Sequence, residues 1–290
     1  KALSLGFDLC GIARCRSLER QYDRFKNWLA DGCDGGLEYL RRNTGKRFDP
    51  GALCEGARSV IVCGVGYHRP PSAHEVASRI ASYAHSRDYH LTIRERLNEL
   101  SAYLRELVPG ASGRVFTDTA PLAEKSWAVE AGLGWIGRNS LLANPRLGSF
   151  LLLGEVVTTA ELESDAPFVR DGCGTCRACV DACPVAAIRP DRTIDAGRCI
   201  SRRTIEAGDG DEGDLHGWLF GCDVCQRACP YNRKAPVSVH DSCAPLAELE
   251  RLDIEDWLGL DEAGFRRIFG ETPLARCGLR RLQERIRRLK

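Results

Sequence analysis

Methionine is absent from this chain of 290 residues. No initiator residue is present, and the opening KALSLGFDLCGIA already reads as a helix running into a strand, so the natural chain is expected to start earlier. Long apolar runs are missing as well. None approaches the roughly 18 residues needed to cross a bilayer, which predicts no membrane partner. No basic-then-apolar leader opens the sequence, so no export signal is read from it. An excess of either charge is lacking, since 41 Lys and Arg face 40 Asp and Glu for a net +1. That balance does not by itself demand nucleic acid or a membrane surface. With 43% apolar and 28% charged residues, the chain reads as a soluble globular protein, of one large domain or two modules.

Cysteine is what the chain has in quantity: 15, an odd number that argues against a fully paired disulfide framework. A chain of this length can also bury a core without such staples. Five cysteines lie in the first 65 residues (Cys10, Cys15, Cys33, Cys54, Cys63), none between 64 and 172, and two stragglers follow at Cys243 and Cys277. These seven are given no ligand role; a buried small hydrophobe is the default for such a residue. The other eight fall between 173 and 229. Cys173, Cys176, Cys179 and Cys183-Pro184 form a C-x2-C-x2-C-x3-C-P run, the spacing of a bacterial-type ferredoxin. Three thiolates two residues apart can wrap three corners of a 4Fe–4S cube, while the fourth turns away to serve the other cluster. Cys173, Cys176, Cys179 and Cys229 are therefore expected to hold one cluster. Cys183, Cys199, Cys222 and Cys225 are expected to hold the second, with an insertion between Cys199 and Cys222. Two tetrahedral zinc ions are the alternative, although zinc sites usually come as separated C-x2-C knuckles. Such thiols need a reducing compartment, which points to the cytoplasm.

Ahead of the cysteine block the pattern alternates. Residues 17–42 read as helical, 58–66 as a buried strand, 89–107 as a long amphipathic helix stopped by Pro109 and Gly110, 114–117 as a strand, 121–131 as a helix and 148–158 as an apolar strand. Strands alternating with helices favour an α/β domain. Gly132, Gly134 and Gly137 spell G-x-G-x-x-G, but they follow a helix instead of a strand. Gly132 is better read as the glycine that ends that helix than as part of a dinucleotide site.

Asp118 lies at the end of the 114–117 strand, in TDTAP, where a carboxylate could face a ligand crevice or simply cap the next helix. A solvated helix start explains His85 and His90 at least as well as a ligand role, and a surface loop does the same for Arg47.

Together these stretches resemble the epoxyqueuosine reductase family. The resemblance rests on KRFDP at 46–50, SRDYH at 86–90, DTAPLAEKSWAVEAGLGWIGRNSLL at 118–142, GSFLLLGEVVT at 148–158, GCGTCRACVDACPVAAI at 172–188, RCIS at 198–201 and GCDVCQRACPYN at 221–232. It implies an α/β (α+β) cobalamin-binding catalytic domain over 1–165, a ferredoxin-like module with two 4Fe–4S clusters over 166–235, and a helical segment over 236–290 that begins a repeat region. It implies reduction of epoxyqueuosine to queuosine at the tRNA wobble position, with electrons passing from the clusters to cobalamin. The resemblance makes Asp118 the proton donor, a role that would call for a raised pKa. Arg47, Leu142, Leu153, Gly154, Glu155 and Ser201 match positions that contact or line the corrinoid.

The expected partners are tRNA carrying epoxyqueuosine and a low-potential electron donor, for a monomeric, cytoplasmic enzyme. Family members commonly run on into a helical repeat region that grips tRNA, so the chain looks clipped at both ends. Residues 266–290 carry nine basic and two acidic residues, +7, and could follow a phosphate backbone; a solvated amphipathic helix lacking its packing partner is an equal alternative. A corrinoid iron–sulfur reductase of another substrate, such as an organohalide, and a two-cluster electron carrier are the competing functions.

Overall fold

The computed structural model describes residues 1–206 and 213–289. A 3-10 turn, Leu3–Leu5, leads into strand β1 (Leu9–Arg14). The single helical stretch expected over 17–42 is two helices, α1 (Glu19–Ala30) and α2 (Glu38–Arg41). Gly32, Gly35 and Gly36 between them all have positive φ, a left-handed backbone that no right-handed helix can run through. Then follow β2 (Ser59–Gly66), α3 (Tyr89–Leu107), β3 (Gly113–Phe116), α4 (Glu124–Glu130), a two-stranded ribbon of β4 (Trp135–Ile136) and β5 (Leu142–Ala143), and β6 (Leu151–Thr158).

The main sheet has the order β1-β2-β6-β3, and each of its pairings is antiparallel. Helices do alternate with strands, but the sheet is not the parallel one that alternation suggests, so the domain is of the α+β kind. Strand direction is set by how the connections pack, which the alternation of elements does not encode.

The two central strands are covered on both faces, and their side chains divide between them with the strand period of two. Ile61, Cys63, Val65 and Val156 meet Ile93, Leu97, Leu100 and Leu104 of α3. Val60, Val62, Leu153 and Val157 meet Trp127 and Ala128 of α4. Gly154 marks where α3 presses closest: a Cβ there would come within 2.6 Å of Ile93 and 2.7 Å of Leu97. Gly132 does end α4, with φ +75 and its N–H bonded to the carbonyl of Val129.

Among the described residues the cysteine-rich segment carries short helices, α5 (Ala178–Ala182), α6 (Ile200–Ile205) and α7 (Val224–Arg227). After it come α8 (Ile254–Gly259), α9 (Glu262–Phe269) and α10 (Leu279–Arg287). These helices are not a face without a partner. Leu279, Leu282 and Ile286 of α10 join Trp257, Phe265 and Phe269 in a core that also takes Val76, Ile80 and Ala84 from the first half of the chain and Leu219 and Phe220 from the cysteine-rich segment. Among the described residues no helix is long and apolar enough to cross a membrane.

Candidate active site and cysteine groups

Asp118 follows β3 in a left-handed conformation, φ 50, a region that non-glycine residues adopt seldom and that clusters at functional sites. It does not cap α4, whose N-cap residue Ala123 makes no side-chain cap bond. Its backbone N–H donates instead to Glu124 Oε1. Its carboxylate accepts a hydrogen bond of 3.0 Å from the Tyr89 hydroxyl and lies 3.6 Å from His90 Nε2. His90 Nδ1 in turn bonds Asp88 Oδ1 at 2.6 Å, and the Tyr89 and His90 rings stack 4.1 Å apart. Asp88 also caps α3 by accepting the His90 backbone N–H, so one side chain both starts the helix and orients the imidazole.

This corner is concave. The Asp118 side chain is 57% exposed and Lys125 is exposed, yet surrounding protein is the largest influence on the charge of each. Side chains that are both wetted and walled in line a cleft. Lys125 Nζ donates to the Ser140 carbonyl. Arg47, expected as a possible surface-loop residue, is half-buried: it donates to the Tyr39 carbonyl, and its own carbonyl accepts the Ala123 N–H just before α4. Its Nε is buried with no hydrogen-bond partner among the described residues. Tyr39, Tyr83, Glu206 and Arg276 also act electrostatically on one another or on Asp118, and Arg276 pairs with Glu206. The C-terminal segment therefore reaches the rim of the cleft.

The electrostatics depart from expectation. Burial pushes the Asp118 carboxyl up, but hydrogen bonds from His90 and Tyr89 outweigh it and hold the group below its ordinary value. For His90, burial opposes the charge, and the paired carboxylates of Asp118 and Asp88 overcome it, raising the imidazole to about 9. Tyr89 is pushed well up by burial and by Asp118, so it stays a hydroxyl donor. The proton near neutrality thus sits on His90 and not on Asp118. His85, by contrast, is no solvated helix start; it is buried, with Nε2 3.0 Å from the Ile80 carbonyl oxygen.

The other expected corrinoid positions scatter. Glu155 is fully buried and acts on Glu124, next to Asp118. Leu142 and Leu153 are buried in the core under α4, and Gly154 faces α3. Ser201 is half-buried on the first turn of α6, two residues after Cys199. A cavity of about 530 Å³ lies elsewhere, lined by Trp135, Pro145, Phe168, Val169, Arg170 and Tyr231, and includes none of these positions.

None of the 15 cysteines is in a disulfide. Cys179 is influenced by Cys173, Cys229 and Cys176, and Cys229 by Cys173 and Cys176. Cys222 is influenced by Cys199 and Cys183, and Cys225 by Cys222, Cys199 and, across the groups, Cys179. Two neighbouring sets of four therefore stand in mutual electrostatic reach. Several sulfurs already face N–H donors: the Trp135 indole on Cys173 and the Ala187 amide on Cys183, both at 3.3 Å. Backbone amides also face Cys199, Cys222 and Cys229. Such donors suit sulfur bearing charge. Among the described residues no three His, Cys, Asp or Glu gather as they would around a single metal ion. Of the remaining cysteines, Cys33, Cys54, Cys63, Cys243 and Cys277 are buried as expected, Cys15 is partly buried, and Cys10 is exposed.

Comparison with known proteins agrees with this geometry. A family model described as epoxyqueuosine reductase QueG, DUF1730, matches residues 47–119, and one for a 4Fe-4S double cluster binding domain matches 172–232. A protein of Cyclobacterium marinum named epoxyqueuosine reductase is 40% identical over 98% of this chain and 93% of its own. An epoxyqueuosine reductase solved with an epoxyqueuosine-modified tRNA stem loop superposes with a TM-score of 0.87 at 26% identity, over 98% of this chain and 77% of that one. A Bacillus subtilis epoxyqueuosine reductase, solved with its catalytic aspartate loop swung out of the active site, gives 0.88 at 25% identity over the same shares.

Proposed function

The chain belongs to the epoxyqueuosine reductase family and is an oxidoreductase with a 4Fe-4S double cluster domain, and from that premise we propose that it reduces the epoxide of epoxyqueuosine in tRNA to the alkene of queuosine. Turnover consumes two electrons and two protons, and the epoxide oxygen leaves as water. The observation that carries this reading is the pairing of two four-cysteine groups with a cleft whose wall holds Asp118.

Cys173, Cys176, Cys179 and Cys229 would hold one cluster and Cys183, Cys199, Cys222 and Cys225 the other, and the influence of Cys179 on Cys225 supports electron passage between them. Cobalamin fits the cleft in its chemistry, because the unpartnered Nε of Arg47 is a donor for the amide-fringed edge of a corrin. When bound, it would supply low-valent cobalt able to attack or reduce the strained C–O bond. One of the two protons comes from solvent water, and the protein's own residues deliver the other. His90 holds it on Nε2 facing Asp118, Tyr89 fixes the carboxylate, and Asp118 passes it to the departing oxygen. This arrangement replaces a raised carboxyl pKa with a relay from a charged imidazole. The loop seen to swing in the Bacillus subtilis relative supports the choice of Asp118. The tRNA would approach the cleft from the side of Arg276 and the basic C-terminal helices, in the reducing cytoplasm.

The test is anaerobic purification and reconstitution, followed by cobalamin, a low-potential one-electron reductant and tRNA bearing epoxyqueuosine. Nucleoside mass spectrometry should show queuosine. Corrin bound without queuosine formed would refute the assigned substrate, and no corrin bound would refute the cofactor.

A further inference from the structure

Strand β6 carries one carboxyl among apolar neighbours. Glu155 is 0% exposed, and its strand register sets it between Val62 and Phe116 on the face covered by α4. No N–H or O–H donor among the described residues reaches either of its oxygens. The polar group set against it is the carboxyl of Glu124, the first residue of α4. Two carboxyls that act on each other beside an apolar core resist ionising together, and one can bond the other only while it keeps its proton. Burial, then the charge of Glu124, raises Glu155 well above the carboxylate range, so Glu155 keeps the proton. Glu124 is raised to about 7, by burial first and then by Asp118, while the hydrogen bond from Glu155 pulls it down. Glu124 Oε1 also accepts the backbone N–H of Asp118, whose left-handed turn needs such a hold.

We propose that Glu124 latches the Asp118 turn through this backbone hydrogen bond, and that the acid hydrogen of the buried Glu155 supports the charge on Glu124 that tightens the latch. Both are positioning residues. The groups acting on Glu124 are Asp118 from the turn after β3, Lys125 on its own helix and Glu155 from β6. Of the other strands packed on α4, β4 and β5 carry no titratable side chain. Cys63 on β2 and Cys10 and Arg14 on β1 are not among the groups acting on Glu124. Tyr89 of α3, a hydroxyl that keeps its proton, also feels the Glu124 charge directly, and His90 reaches it through Asp118.

The latch rests on the reading of Asp118 as proton donor only for its catalytic consequence. Its test is hydrogen exchange of the peptide spanning residue 118 in the cluster-loaded protein, corrected for the intrinsic pH dependence. Protection should rise about tenfold as pH passes through about 7, the ratio expected when a neutral hydrogen bond becomes charge-assisted. Glu124→Gln should keep weak protection with no pH step. Glu155→Leu should move the step to higher pH, and Glu155→Gln, which retains a donor, should restore it; unchanged iron content would show that each variant is folded. Protection independent of pH in the unaltered protein, or equal protection in Glu124→Ala, would overturn the latch. Asp118→Asn separates the two ideas: if it stays active while the step persists, the proton-donor reading fails and the latch stands.

Discussion

Asp118 holds a strained backbone and two partners of opposite role, a hydroxyl that fixes it and an imidazolium that can feed it. Asp118→Asn should keep clusters and corrin absorbance but lose turnover by about 10²–10⁴-fold, the usual worth of a positioned general acid; full activity would remove Asp118 from the mechanism. His90 offers an independent check through stability. Its folded pKa of about 9 exceeds the ordinary value of 6.5, so its pairing contributes fully below about 6.5 and fades as pH rises through about 9. The melting-temperature gap between the unaltered protein and His90→Gln should therefore be widest near pH 6 and narrow by about pH 9.5. A gap constant over that range would mean that no such pairing exists in solution.

At the scale of elements, the site depends on how tightly α3 and α4 grip the sheet. Helix α3 supplies Tyr89 and His90 from its first turn, and α4 supplies Glu124 and Lys125 from its own. Gly154 is what lets α3 lie close enough. In Gly154→Val, side chains of Ile93 and Leu97 now within 2.6–2.7 Å of a Cβ must give way, so the variant should lose about 1–3 kcal/mol in chemical denaturation. Because the displaced helix carries His90, the same variant should also blunt the His90 pH effect. The glycines of the 32–36 segment act in the opposite sense, breaking one helical pattern into α1 and α2 and bringing Tyr39 to the cleft.

Across the whole molecule, the core that packs α8, α9 and α10 onto residues from 76–84 and 219–220 ties the C-terminal helices to the first half of the chain and to the cysteine-rich segment. This joins the basic tract to the cleft through Arg276 and Glu206. Arg266 and Arg267 are exposed on α9. Changing both to Glu should weaken tRNA binding across sequences and reduce the salt slope of the affinity by about one for each phosphate no longer neutralised, as read by binding titrations at several salt concentrations. An unchanged slope would place the tRNA elsewhere.

The sequence by itself determined most of the elements of the first half and the 4Fe-4S character of the cysteine-rich segment. Apolar periodicity placed β2, α3 and β3 to within a residue and β6 to within three, because those segments bury a face on a fixed period. Cysteine spacing pointed to a 4Fe-4S double cluster domain, because a tight loop of thiols leaves few ways to surround a cluster; the division of the eight thiols between two clusters is our proposal. The arrangement that makes Asp118 useful was not written locally. His90 read as solvent-facing, since one of the two carboxylates that charge it, Asp118, lies 28 positions away in the chain, although the other, Asp88, is only two away. Glu155 read as one polar letter in an apolar strand, since its partner Glu124 comes from another element. The antiparallel sense of the sheet and the partners of the C-terminal helices were likewise decided by tertiary packing. Protonation and position at a site depend on which groups folding brings together and how far it excludes water, and a local pattern of residue types carries neither.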